Sequence, residues 1–120
     1  MISFPLRREH TFQYCLDYFR YFLPSSGNLT SNGEYMADIV RDSGHEWNDF
    51  FIFAASGTDD FAYSAFRSQI EAMANVDDGT FRYADNEREG NLYFLEQDGG
   101  VHSGEYAMEY FYNGLCWIWQ

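Results

Sequence analysis

The hydrophobic positions change period along the chain, and each change marks an element. "DFFIFAAS", Asp49 to Ser56, is apolar at odd and even positions alike after its first residue. That pattern predicts a strand buried on both faces, as in a parallel sheet covered by helices. From Ala62 the period lengthens. Ala62, Phe66, Ile70 and Met73 recur at spacings of three and four, one stripe of a helix. "SNGEYMADIVRDSG" predicts a second helix, with Asn32 as its cap and Gly44 as its stop. "NLYFLEQ" predicts another strand. After "DGGVHSGEY" comes a last helix, whose inner face would use Ala107, Phe111, Leu115 and Ile118. Near the start, "REHTFQYCLDYF" reads as a helix that gives way between Cys15 and Phe19. "RYFLPSSGN" then reads as a short strand stopped by Pro24 and Gly27, although "YCLDYFRYFLP" also fits one longer helix.

Helices alternating with strands predict an α/β fold: three layers, with three parallel strands between helices on both faces and right-handed crossovers. The 120 residues suffice for one domain, and there are no repeats. Aromatic residues reach 21%, with 12 Phe, 10 Tyr and 3 Trp, which is ample material for a core. The net charge of −12, from 19 acidic and 7 basic residues, speaks against nucleic acid and against an anionic membrane surface, since both need Lys and Arg. The acidic residues are scattered, as on a solvated surface. No run approaches the ~20 apolar residues of a membrane span. "MISFPLRREH" lacks the order of a signal peptide, and localisation is left open. Cys15 and Cys116 are read as two buried, unbridged thiols.

Ligands of parallel α/β sheets bind at the carboxyl ends of the strands. Two such ends carry chemistry here: Ser56-Gly57-Thr58-Asp59-Asp60 and Asp98-Gly99-Gly100-Val101-His102. An Asp after one strand and a His after the next can meet above the sheet edge. There the carboxylate fixes the imidazole tautomer and stabilises the imidazolium formed on proton transfer. The alternative is structural: Asp59 caps the helix starting near Phe61, and His102 is a polar loop residue.

Three ordered blocks, "YCLDYFRYFLPSSGN", "DFFIFAASGTDDFAYSAFRSQIEAM" and "GNLYFLEQDGGVHSGEYAMEYFYNGL", resemble the last three strand–helix units of the α/β-hydrolase family that holds feruloyl and acetyl-xylan esterases. The resemblance runs from about Thr11 to the C-terminus, so residues 1–120 would form a single partial α/β-hydrolase domain. In that family a "GTxD" turn carries the triad acid and a "GG-x-H" turn carries the triad base. By position these are Asp60 and His102, in the chain order acid then histidine that α/β hydrolases share. Two distant cysteines without a CxxC make zinc improbable, and neither a metal nor a cofactor is expected.

The family's nucleophile lies in G-x-S-x-G, before the helix that here holds "TFQYC". That pattern is absent from these residues. Ser3 stands near the right place, but between Ile2 and Phe4 and without glycines. Ser25, Ser26 and Ser56 sit at strand ends and read as turn or cap residues. The expectation is therefore the C-terminal fragment of a serine carboxylesterase acting on acyl esters of plant cell-wall polysaccharide, inactive alone. Strand "RYFLPSSG" would lie beside an absent strand, and its apolar edge predicts self-association. The competing class is a non-catalytic module that binds carbohydrate or protein through its aromatic surface. Of the remaining candidates, "HEWND" lacks the second His of a zinc-protease motif, and His10 reads as solvated. Asn28 opens a formal glycosylation sequon. Of Trp117 and Trp119, one is expected to pack and the other to face solvent or a partner.

Overall fold

The structure, a computed structural model, describes residue 12 and residues 15–25 and 32–119. Ser3, His10, Ser26 and Asn28 lie outside the described residues. The elements are strand β1 (Tyr21–Phe22), helix α1 (Gly33–Ser43), a short 3-10 turn (Trp47–Asp49), strand β2 (Phe51–Gly57), helix α2 (Tyr63–Ala74), strand β3 (Leu92–Gln97) and helix α3 (Gly104–Ile118). The sheet order is β1-β2-β3 and both pairings are parallel. Helices lie on both faces of it, the three-layer arrangement expected.

β2 is the centre, and all seven of its residues are buried. The two-residue period of a strand divides its side chains between two layers. Phe50, Ile52 and Ala54 join the larger core, together with Phe12, Phe22, Met36 and Val40 and with Phe66, Ile70 and Met73 of α2. Phe51 and Phe53 face the opposite way, toward Leu23, Trp117 and Ile118. Within the larger core Phe12 meets Phe22 edge-on at 4.9 Å and Phe50 at 5.5 Å. Each fully buried side chain of this size contributes roughly 1.5–3 kcal/mol.

Among the described residues of the ambiguous N-terminal stretch, Phe12 and Cys15 are helical, a turn follows, and a strand comes after it. Leu16 N–H bonds Phe12 O at 3.1 Å and Phe19 N–H bonds Cys15 O at 2.9 Å, after which the chain extends into β1. β1 is short because Pro24 has no N–H to continue the ladder. Pairing survives there through Ala55 N–H on Pro24 O and a bridge from Ser25 to Ala55. α1 has the caps expected: Asn32 Oδ1 accepts from Tyr35 N–H, and Gly44 sits at φ 78°.

The expected inner face of α3 holds in part: Ile118 packs on the core beside Phe51 and Phe53, but Ala107, Phe111 and Leu115 are not the buried positions. Its buried positions are Tyr110 and Gly114, while Phe111 and Leu115 are half-buried. Gly114 lies so close to Leu23 and Phe53 that a Cβ there would overlap the Leu23 side chain. The absent side chain at Gly114 lets the helix seat on that flank, and Trp117, one turn on, stacks 4.2 Å from Phe51. Trp119 is 77% exposed. The cysteines are free thiols, yet neither is buried: Cys15 is half-buried and Cys116 exposed. Among the described residues no helix is long and apolar enough to cross a membrane.

Candidate active site

The site is built where β2 and β3 end side by side. Past Gly57 the two chains stay pinned: Thr58 N–H bonds Gln97 O at 3.0 Å, Asp59 N–H bonds Gly100 O at 2.9 Å, and Gly99 N–H bonds Thr58 Oγ1 at 2.8 Å. Gly99 turns at φ 74°, in the left-handed region that favours glycine. Gly57 and Gly100 touch backbone to backbone, and a Cβ on Gly57 would fall inside the Gly100 carbonyl. These two glycines bring the turns together, and the turns carry Asp60 and His102.

The structure places Asp60 and His102 against each other. His102 Nδ1 lies 3.1 Å from Asp60 Oδ1 and 3.0 Å from Oδ2. The Asp60 side chain is fully buried and that of His102 is 48% exposed. Asp60 Oδ1 also accepts from Ala62 N–H at 2.8 Å, which closes the turn leading into α2. A carboxylate only accepts, so Nδ1 carries the proton. The other ring nitrogen, Nε2, is turned away from the carboxylate, and among the described residues nothing bonds it. The arrangement can take a proton at Nε2 and hold the resulting imidazolium against a buried carboxylate.

The capping alternative for Asp59 is a correction. Asp59 is exposed, and its neighbour Asp60 accepts the turn hydrogen bond. Ser56 is buried inside β2, its hydroxyl 3.4 Å from Gly57 O, and so is not a nucleophile open to substrate. Ser25 is buried as well. His45 of "HEWND" is paired with acids: Nε2 lies 2.6 Å from Asp17 Oδ1 and Nδ1 lies 3.4 Å from Asp49 Oδ2. The hydrogen bond to Asp17 raises the His45 pKa above 6.5, partial burial opposes it, and Asp49 adds to the rise.

Two neighbours escaped the sequence reading. Phe61 stacks on the His102 ring, centroids 4.5 Å apart and planes tilted by 38°. Its position directly after the acid was the available signal. Tyr110 lies beneath the turns, with its hydroxyl against Gly100 and without a hydrogen-bond partner among the described residues. Burial, and then the charge of Asp60, push the Tyr110 phenol up. No local pattern in α3 singles it out.

No protein-family profile matches the chain. A serine-to-alanine mutant of the feruloyl esterase module from Clostridium thermocellum, complexed with sinapinate, superposes with a TM-score of 0.83 over 91% of this chain at 33% identity. This chain is similar in sequence and fold to feruloyl esterase modules. A second solved structure, of FAE, agrees, with a TM-score of 0.82 at 33% identity over the same share of the chain. In sequence, endo-1,4-beta-xylanase Y of Acetivibrio thermocellus is 36% identical over 107 residues, 84% of this chain. The chain spans 10% of the length of that xylanase and 40% of each esterase structure.

Proposed function

We propose that Asp60 and His102 are the acid and base of a serine carboxylesterase acting on acyl esters of plant cell-wall polysaccharide. The observation that carries this is the buried Asp60 carboxylate on Nδ1 of a half-exposed His102, at the shared end of two parallel strands. The esterase modules that the chain resembles support the reaction class. In the complete site a serine hydroxyl attacks the ester carbonyl. His102 Nε2 takes its proton and returns it to the departing alkoxide, and Asp60 holds the tautomer throughout. G-x-S-x-G does not occur in these 120 residues, so the nucleophile and the oxyanion donors are proposed to come from outside them. The 120 residues by themselves are accordingly proposed to lack esterase turnover. Hydrolysis of p-nitrophenyl acetate tests this, with His102→Ala as the comparison. Turnover well above free imidazole that is lost in the variant would reveal a nucleophile in this chain and overturn the division of labour.

One observation favours a second reading, a carbohydrate- or protein-binding module. Met108, Tyr112 and Trp119 of the α3 region are 69%, 68% and 77% exposed. Retardation in arabinoxylan gels, lost in Trp119→Ala and indifferent to His102→Ala, would select it.

A further inference from the structure

We propose that Phe61 is a positioning residue for His102, holding the imidazole plane so that Nδ1 stays on Asp60. The inference rests on the reading of Asp60 and His102 as acid and base.

Phe61 is 84% exposed, so burial does not explain where its ring lies. Its ring contact among the described residues is His102. The backbone on either side of it is fixed. Asp60 N–H bonds Gly57 O at 3.2 Å, Tyr63 N–H bonds Asp60 O at 3.0 Å, and Ala62 N–H bonds the Asp60 carboxylate at 2.8 Å. Phe61 therefore projects from a turn that is pinned before and after it.

His102 needs a second constraint. Its hydrogen bonds converge on one nitrogen and one carboxylate, which fixes a point on the ring but leaves the plane free to swing. The ring is only partly covered, standing 48% exposed on a turn. A phenyl ring 4.5 Å away across the imidazole face limits that swing. Aromatic contacts of this kind favour one orientation by about two- to tenfold. Asp60 thus favours the proton on Nδ1 when it faces Nδ1, and Phe61 keeps Nδ1 facing Asp60.

The test is nitrogen-15 NMR of the histidine side chains in the whole chain, with the imidazoles neutral and His102 assigned by comparison with His102→Ala. In the wild type His102 should show one Nδ1–H tautomer, with ring protons displaced upfield by Phe61. In Phe61→Ala and Phe61→Leu the ratio of that tautomer to the alternative should fall by about two- to tenfold. The ring protons should also move downfield, toward free histidine. Phe61→Tyr should restore both signals. Because Phe61 is exposed, these variants should keep the dispersed spectrum of the folded chain. Asp60→Asn separates the two ideas. If Asp60→Asn leaves the tautomer unchanged, the acid–base reading falls. If Asp60→Asn disturbs the tautomer while Phe61→Ala leaves tautomer and ring-proton shifts as in the wild type, the role of Phe61 is overturned by itself.

Discussion

Replacing Gly57 by alanine should damage the site more than replacing any residue on its rim, even though it adds one methyl group. A Cβ at Gly57 meets the Cα, C and O atoms of Gly100, all backbone and all inside van der Waals contact. No rotamer change relieves a backbone clash, so the two turns must separate. Overpacking of this kind costs typically 1–3 kcal/mol, and a clash with fixed backbone belongs at the upper end. The control is Gly99→Ala, in the neighbouring turn. Gly99 has φ 74° and open space where its Cβ would be, so only the left-handed backbone resists, at a cost of about 1 kcal/mol. With a urea m-value of about 1.5 kcal/mol/M, Gly57→Ala should lower the unfolding midpoint by about 2 M and Gly99→Ala by about 0.7 M. Gly57→Ala should also move the His102 ring resonances, because Asp60 and His102 ride on the turns being forced apart. Equal midpoints for the two variants, or an unchanged His102 spectrum in Gly57→Ala, would refute the view that this glycine contact sets the site.

Asn91 is fully buried, and its amide donates to Trp47 O and Thr80 O while its Oδ1 accepts from Arg82 N–H. Asn91→Leu should destabilise the chain by about 3 kcal/mol or more, since those backbone groups lose their partner; a urea midpoint within error of wild type would contradict this. The raised His45 pKa gives a pH dependence with a definite sign. The stabilisation from His45 is present in full below the ordinary value of 6.5 and is lost as pH rises through the higher folded value. Unfolding midpoints measured below and above that window should show the loss in wild type and a smaller loss in Asp17→Asn; identical pH profiles would show that the pair contributes nothing.

Local pattern was enough wherever an element answers to its own residues. β2 is legible because one apolar run serves two layers, with Ile52 and Ala54 facing one core and Phe51 and Phe53 the other. α1 is legible because Asn32 and Gly44 bound it. That an aspartate and His102 each follow a strand by a glycine turn is legible from spacing, whereas the choice of Asp60 over Asp59 comes from the resemblance to the esterase family. Where the outcome depends on how elements dock, pattern failed. The seat of α3 follows from the space at Gly114, which no helical periodicity reports. Asp60 rather than Asp59 takes the turn hydrogen bond because the backbone bond from Asp59 to Gly100 fixes which carboxylate points inward. Asn91 and Tyr110 are polar groups buried by distant segments, and neither has a signature among its neighbours in sequence.

The proposed role of Asp60 and His102 is tested most directly in a chimera. The feruloyl esterase module of known structure supplies its own nucleophile, and the 40% of it that this chain matches is replaced by the present sequence. Hydrolysis of a feruloyl ester by the folded chimera is the measurement. Activity is predicted, with a loss on the order of 10⁴-fold in His102→Ala and a comparable loss in Asp60→Asn. A folded chimera that shows no hydrolysis, or one whose activity survives His102→Ala, would contradict the assignment of this pair as the acid and base of an esterase.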